Sequence, residues 1–286
     1  MQIFRNPDWI DNYRFEYKCF DEIPLAVFNE VNANLDKKQT DFPLVSIVIA
    51  AWNEEVNILG TIASLSELKT DIPFEIIVVN NNSTDKTQET LDKLHVRSFF
   101  EKVQGAGPAR QKGQEIALGK YILTADADCI YPSGWLDEML KELQKPGVAC
   151  VYGRYSFISE QGMPRWNFII LETLKDIIAE VRHFKRPYLN SYGISMGYIK
   201  EYGLKVGFVK KNIRGEDGRL CFDLMQFGKV KQVKSRSARV WTAPRTILKD
   251  GTVFNAIKVR VVKEAKRFFS LFFSLASHDT KTSVNE

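Results

Sequence analysis

Residues 44–50 read Leu-Val-Ser-Ile-Val-Ile-Ala, then come Ala51-Trp-Asn-Glu-Glu55 and apolar residues at Val56, Leu59, Ile62 and Leu65. A short β-branched run that gives way to helical spacing is the pattern of a strand feeding a helix. The pattern recurs. Phe74-Glu-Ile-Ile-Val-Val79 reads as a second strand, Asp85 with Gln88 forms a capping-box pattern, and Leu91 and Leu94 give the next helix an inner face. Val96 to Phe100 is a third strand, Pro108 sits where the first turn of a helix tolerates proline, and Tyr121 to Ala125 is a fourth strand. Strands alternating with helices in this way predict a parallel sheet covered by helices on both faces.

Outward from this core the regularity weakens. Residues 1–42 hold no strand-like run and read as an N-terminal arm with one short helix. After Asp128 the pattern predicts a helix at Trp135 to Leu143, a strand at Val148 to Tyr152, and a long amphipathic helix from Phe168 to Val181. Gly215 to Phe227 reads as a loop entering a helix, Val230 to Trp241 as an extended segment, and Val253 to Leu275 as a basic amphipathic helix. The expected organisation is an arm (1–42), a catalytic domain (43–245), and a C-terminal helix with its tail (246–286).

The composition excludes several classes. With 286 residues, 44% of them apolar or aromatic, the chain can bury an adequate core, which sets aside disorder and mini-protein scaffolds. A net charge of +5 from 40 basic and 35 acidic residues is mild, whereas a dedicated nucleic-acid binder usually shows a concentrated basic face, and it suits an anionic small ligand equally well. Cys19, Cys129, Cys150 and Cys221 lie far apart with no C-x-x-C pair, so neither zinc nor a disulfide framework is indicated, and a reducing cytoplasm is the default expectation. The N-terminal MQIFRNPDWIDNY lacks the pattern of a signal peptide. The longest apolar stretch, Phe268 to Ala276, falls short of the roughly 20 residues of a spanning helix.

In open α/β sheets, ligands bind at the carboxyl ends of the strands. Four polar clusters fall there: Ala51-Trp-Asn-Glu-Glu55, Asn80-Asn-Asn-Ser-Thr-Asp85, Gly105-Ala-Gly-Pro-Ala-Arg110 and Asp126-Ala-Asp128. On an extended segment Asp126 and Asp128 point to one side, so both carboxylates can address one cation, and a hard divalent ion commonly takes one or two carboxylates plus phosphate oxygens. The alternative is that they are turn or capping residues before Pro132. The glycines of 105–107 do not complete a dinucleotide fingerprint, because arginine stands at the third glycine and Pro108 interrupts the turn. A glycine-bearing loop still lets backbone approach an anion, and Arg110 can contact a diphosphate or a base, or be an ordinary surface residue. Glu216 and Asp217 after Gly215 are either favourable charges at a helix start or a general base for an attacking hydroxyl.

Pro43–Glu55, Val78–Asp85, Gly105–Arg110, Ala125–Asp128 and Gly215–Asp217, in this order and spacing, resemble family 2 glycosyltransferases of the GT-A fold, over roughly residues 43–245. The resemblance implies a Rossmann-like, mostly parallel sheet flanked by helices, and transfer of a sugar from a nucleotide-sugar to a hydroxyl acceptor with inversion, a chemistry of cell-envelope polysaccharides. By it, Ala51, Asn53, Glu54, Asn80 and Asn81 contact the nucleoside, with Arg110 on its diphosphate or base. Asp126 faces ribose or metal, Asp128 holds Mn²⁺ or Mg²⁺, and Asp217 is the base with Glu216 beside it.

Departures refine this. Family members often carry aspartate where Asn80 and Asn81 stand, and an amide both accepts and donates, which favours a uridine nucleotide over a guanosine one. Processive synthases of the family carry a Q/R-x-x-R-W motif and membrane spans; Arg236-Ser-Ala-Arg-Val-Trp241 has one residue too many, and processive synthesis is not expected. Trp241 and Arg245 are candidates for the acceptor or diphosphate side, with a buried core tryptophan as the alternative. The basic helix near the C-terminus either packs on the domain or lies in an anionic membrane interface, which would make the enzyme peripheral on the inner face and bring it to a glycan or lipid-linked acceptor. Rival readings are a sugar-nucleotide nucleotidyltransferase, which would need a glycine-rich basic loop after the first strand, and a non-catalytic sugar-nucleotide-binding protein.

Overall fold

The computed structural model describes residues 5–160, 164–211 and 215–244. Its strands are β1 (Val45–Ala51), β2 (Phe74–Asn80), β3 (Arg97–Phe100), β4 (Tyr121–Asp126), β5 (Cys129–Ile130), β6 (Val148–Tyr152), β7 (Tyr155–Phe157), β8 (Met196–Ile199), β9 (Lys229–Gln232) and β10 (Val240–Thr242). Its helices are α1 (Leu25–Lys38), α2 (Asn57–Ser66), α3 (Thr87–Asp92), α4 (Ala106–Ile116), α5 (Trp135–Leu143), α6 (Arg165–Lys185), α7 (Lys200–Val206) and α8 (Glu216–Leu224).

Seven strands form one sheet in the order β3-β2-β1-β4-β8-β6-β9. The first four strands of the chain run parallel, as the alternating pattern predicts. β8 is antiparallel to both β4 and β6, and β6 and β9 are again parallel. Every residue of β2 is buried, which is why its sequence is a continuous apolar run rather than an alternation. The register brings the strand ends together: Ala51 stands opposite Asn80, and Ala50 opposite Asp126. Three of the four polar clusters therefore emerge together at one sheet edge. A second sheet, β5-β10-β7, begins directly after Asp128 and stands beside that edge.

The N-terminal segment is more than an arm with a short helix. α1 spans 14 residues and sets Phe28, Val31 and Leu35 into the same core as β1, β2 and α2. Two other expectations need correction. Gln88 does not close a capping box, because its Oε1 accepts from Asn80 Nδ2 and its Nε2 donates to Asp92; Asp85 alone holds the turn, accepting from the Thr87 N–H. The segment 230–241 is not one extended run but two strands in different sheets, separated by a 3-10 turn at Arg236–Ala238. β8 and α7 carry little sequence signal. A Cβ on Gly197 would lie 2.5 Å from Leu123 Cδ2, so this central strand needs glycine where a β-branched residue would announce it. The basic helix expected at 253–275 and Arg245 lie outside the described residues.

Candidate active site

The turns after β1 and β2 are bonded to each other. Asn53 N–H donates to Ser83 Oγ (3.0 Å), Thr84 N–H to Asn53 Oδ1 (2.8 Å), Glu54 N–H to Thr87 Oγ1 (2.8 Å) and Glu55 N–H to Asp85 Oδ2 (3.2 Å). Asn53 and Asn82 adopt left-handed backbone (φ 54° and 57°), a conformation that asparagine tolerates better than most residues. The result is a preformed rim with Trp52 projecting from it, 56% exposed. Sequence reasoning passed over Trp52; the available signal was a large aromatic inside a polar turn, where no core needs it.

Asn80 and Asn81 are both buried but differ in what they can still do. Asn81 donates to the carbonyls of Val103 (2.7 Å) and Glu101 (3.3 Å) and accepts from Gly105 N–H (2.7 Å) and Gln104 Nε2 (3.5 Å), so its amide is fully engaged in holding the 101–105 loop. Asn80 donates to Gln88 and accepts from Ser83 N–H, and these bonds use only part of its capacity. Asn80 thus keeps amide capacity that Asn81, which shapes the loop, does not. The glycines of 105–107 also serve the protein rather than an anion. Gly105 (φ 137°) gives its N–H to Asn81, and a Cβ on Gly107 would fall 2.3 Å from the Val209 carbonyl oxygen and 3.6 Å from Glu216 Cβ.

At the centre is Arg110, carried by α4 and only 4% exposed. Its Nη2 lies 2.7 Å from Asp126 Oδ1, and its Nη1 lies 2.7 Å from Asp217 Oδ1 and 3.0 Å from Glu216 Oε1. One guanidinium thus gathers the carboxylate at the end of β4 and both acids of the first turn of α8. It is not a surface residue. Gly193 completes the hub: its N–H donates to Asp217 Oδ2 (2.7 Å), and a Cβ there would lie 2.0 Å from Arg110 Nη2. The sequence offered no sign of Gly193, which is remote along the chain and sits in a short 3-10 turn.

The electrostatics follow from burial and charge. Burial pushes the Asp217 carboxyl up to about 6; Arg110 and the Gly193 N–H oppose this, while Glu216 and Asp126 add to it. Burial also raises Asp126, with Arg110 opposing and Asp128 reinforcing. Desolvation alone would lower Arg110, but Asp217, Asp126 and Glu216 outweigh it and hold the guanidinium charged. A carboxylate near 6 is poised to take a proton close to neutral pH.

Asp126 and Asp128 stay accessible. The Asp126 side chain is 36% exposed, and a cavity of about 190 Å³ reaches Asp128 between α2 and the N-terminal segment, lined also by Tyr13, Asn57 and Glu160. Among the described residues no group of three or more His, Cys, Asp and Glu side chains gathers as a metal cage. A pair of carboxylates within electrostatic reach of each other is instead the donor set of a hard divalent ion that takes its remaining ligands from water and phosphate. These residues fit Mn²⁺ or Mg²⁺ bound together with a diphosphate.

Other candidates fall elsewhere. Trp241 on β10 is 9% exposed, clustered with Ile10, Ile130 and Ile158, with the Arg165 guanidinium 4.9 Å from its ring centroid. That makes it a core residue and corrects the acceptor-side expectation. Tyr152 is buried against His183 Nδ1 (2.8 Å), and Arg154 pairs with Asp176 and Glu180. Cys150 and Cys221, far apart in sequence, meet at 3.7 Å as free thiols.

A mostly parallel sheet whose strand ends present a polar rim, a D-x-D pair and a buried acid on a neighbouring helix is the arrangement of a GT-A protein. The profile described as glycosyl transferase family 2 matches residues 46–200, more than half of the chain, and the chain belongs to that family. With that membership the nucleotidyltransferase reading falls away. A Bacillus subtilis protein, provisionally named teichuronic acid biosynthesis glycosyltransferase TuaG, is 29% identical over 134 residues, covering 44% of this chain and 52% of that protein. Glycosyltransferase MJ1057 of Methanocaldococcus jannaschii, itself uncharacterized, is 32% identical over 133 residues, covering 43% and 46%. The match thus spans about half the length of these curated relatives. Among solved structures, mannosyltransferase PcManGT from Pyrobaculum calidifontis in complex with GDP-Man and Mn²⁺ superposes with TM-score 0.55 at 18% identity, covering 87% of this chain and 71% of that one. Glucosyl-3-phosphoglycerate synthase from Mycobacterium tuberculosis, in complex with Mn²⁺, UDP and phosphoglyceric acid, gives 0.52 at 18% identity, covering 83% and 82%. At such identity the likeness establishes the fold.

Proposed function

We propose that the protein is an inverting glycosyltransferase that moves a sugar from a nucleotide-sugar to a hydroxyl acceptor, with Asp217 as general base. The observation that carries this is the Arg110 hub, which brings Asp126 and Asp217 onto one guanidinium while burial lifts Asp217 to about 6. Asp217 takes the proton of the acceptor hydroxyl; the oxygen forms a bond to the anomeric carbon as the bond from that carbon to the diphosphate oxygen breaks, and the nucleoside diphosphate departs with the electron pair. Glu216 shares Arg110 with Asp217 and keeps the guanidinium oriented. Asp126 and Asp128 would hold Mn²⁺ or Mg²⁺, which when bound supplies positive charge to the leaving diphosphate. The nucleoside lies on the rim of Ala51, Asn53, Glu54 and Asn80, where Trp52 offers a flat apolar face to a base.

The partially engaged amide of Asn80 can accept from N3–H and donate to O4 of uracil, which supports a UDP-linked donor. The two solved relatives carry GDP and UDP ligands respectively and so do not decide the base. The acceptor is a glycan or lipid-linked hydroxyl. The deciding experiment is donor hydrolysis over UDP- and GDP-sugars with Mn²⁺ or Mg²⁺. Wild type should turn over one donor class in a metal-dependent way, Asp128→Ala should lose that dependence and the activity, and Asp217→Asn should bind donor but fail to transfer. Equal, metal-independent turnover by wild type and Asp128→Ala would reject the site, and GDP binding more tightly than UDP in calorimetry would reject the uridine assignment.

A further inference from the structure

Helix α6 is apolar on two faces. Phe168, Leu171 and Ile178 are buried against the body of the protein. On the opposite side Trp166 (49% exposed), Ile170 (58%), Ile177 (57%), Val181 (40%) and Phe184 (91%) form a second row. Their spacings of four, seven, four and three residues put all five on a single stripe along the 21-residue helix. A surface helix ordinarily turns polar side chains outward, and an exposed apolar stripe of this length marks a contact surface.

The charges around the stripe indicate what covers it. Each acid of the helix is paired: Glu172 with Arg165 (2.7 Å), Asp176 with Arg239 (2.7 Å) and Glu180 with Lys234 (2.6 Å). At the C-terminal end of the helix stands exposed Lys185; exposed Lys231 of β9 and Lys234 of the loop after it come near the same end, Lys234 already engaged by Glu180. Lys231 and Lys234 lie close enough to His183 to act on its charge. The stripe is therefore apolar except for Thr173, free of unpaired acid on its own helix, and bordered at one end by Lys185 and Lys231. We propose that this face of α6 docks on an anionic lipid surface, its side chains entering the boundary between headgroups and acyl chains while the lysines bear on lipid phosphates. This surface is distinct from residues 246–286, and the inference does not depend on the sugar-transfer reading.

Flotation of the full chain with vesicles tests it. Wild type should float with an equal mixture of phosphatidylcholine and phosphatidylglycerol, and less with phosphatidylcholine alone or in high salt. Ile170→Glu combined with Phe184→Glu should lower the bound fraction at least about tenfold, with thermal stability unchanged because both sites are exposed. Lys185→Glu combined with Lys231→Glu should remove the preference for anionic vesicles. Failure of wild type to float would overturn the proposal, as would flotation of the apolar double variant equal to wild type. So would conversion of a dimer to a monomer by that variant with flotation unchanged, since the stripe would then be a contact between copies of the chain.

Discussion

Arg110 Nη1 donates to Asp217 Oδ1 at 2.7 Å, across 107 residues of sequence. The proposed base therefore meets its substrate already bonded to a cation, and its proton affinity is the balance of two opposed effects. Burial raises the carboxyl and Arg110 restrains it.

That balance sets a pH dependence. Transfer requires Asp217 ionised, so the rate should rise with pH through about 6 and level off above it. Stability should run the other way. An acid whose folded pKa lies above its unfolded value binds more protons when folded, so its stabilising contribution is full below 3.8 and is lost as pH climbs through about 6. Asp217→Asn lacks this titration. Its melting temperature relative to wild type should climb between those two values, and a flat difference across that window would refute the assignment.

Removing the cation should cost more than removing any one acid. Arg110→Ala leaves Asp126, Glu216 and Asp217 facing one another without compensation, and loss of one partner from a buried ion cluster costs about 3–5 kcal/mol. Urea denaturation at pH 7.5 should show that loss, and the deficit should shrink toward acid pH as the carboxyls protonate. Arg110→Lys should recover only part of it, because a single ammonium cannot hold Asp126 and Asp217 from two nitrogens.

Gly193 should tolerate no side chain. Its Cβ position lies 2.0 Å from Arg110 Nη2, and the guanidinium cannot retreat without leaving its carboxylates. Gly193→Ala should lose about 1–3 kcal/mol of stability, the usual cost of overpacking. Sugar transfer should fall by a larger factor than nucleotide binding, measured by kinetics and by calorimetry on the same preparation.

Much of this was legible in the chain, for identifiable reasons. Buried parallel strands such as β1 and β2 must be continuous apolar runs, and their carboxyl ends must collect the polar residues, so the sheet edge could be read directly. What escaped depended on contacts between distant segments. Gly193 and Gly197 are small because Arg110 and Leu123 press on them, and nothing nearby in sequence says so. For Trp241 the sequence leaves cleft and core both open; it is a core residue because β10 folds back beside β5 and carries the ring into contact with Ile10. Arg110 was read for charge, but its burial against three acids was a matter of tertiary packing.

The two asparagines at the end of β2 should separate by experiment. Asn81 donates to the carbonyls of Val103 and Glu101 and accepts from Gly105 N–H, so Asn81→Ala leaves three backbone groups, the buried Gly105 N–H among them, short of a partner. At about 1 kcal/mol for each, the loss should be about 2–3 kcal/mol in urea denaturation. Asn81→Asp should do little better, because a carboxylate accepts but cannot donate to the two carbonyls. Asn80→Ala surrenders only its bonds to Gln88 and the Ser83 N–H, and its stability should change less, by about 1–2 kcal/mol. Its effect should appear in nucleotide affinity, as weaker UDP binding with the folded protein otherwise intact. If both variants weakened UDP equally and neither altered stability, the division of labour between a loop lock and a base contact would be wrong.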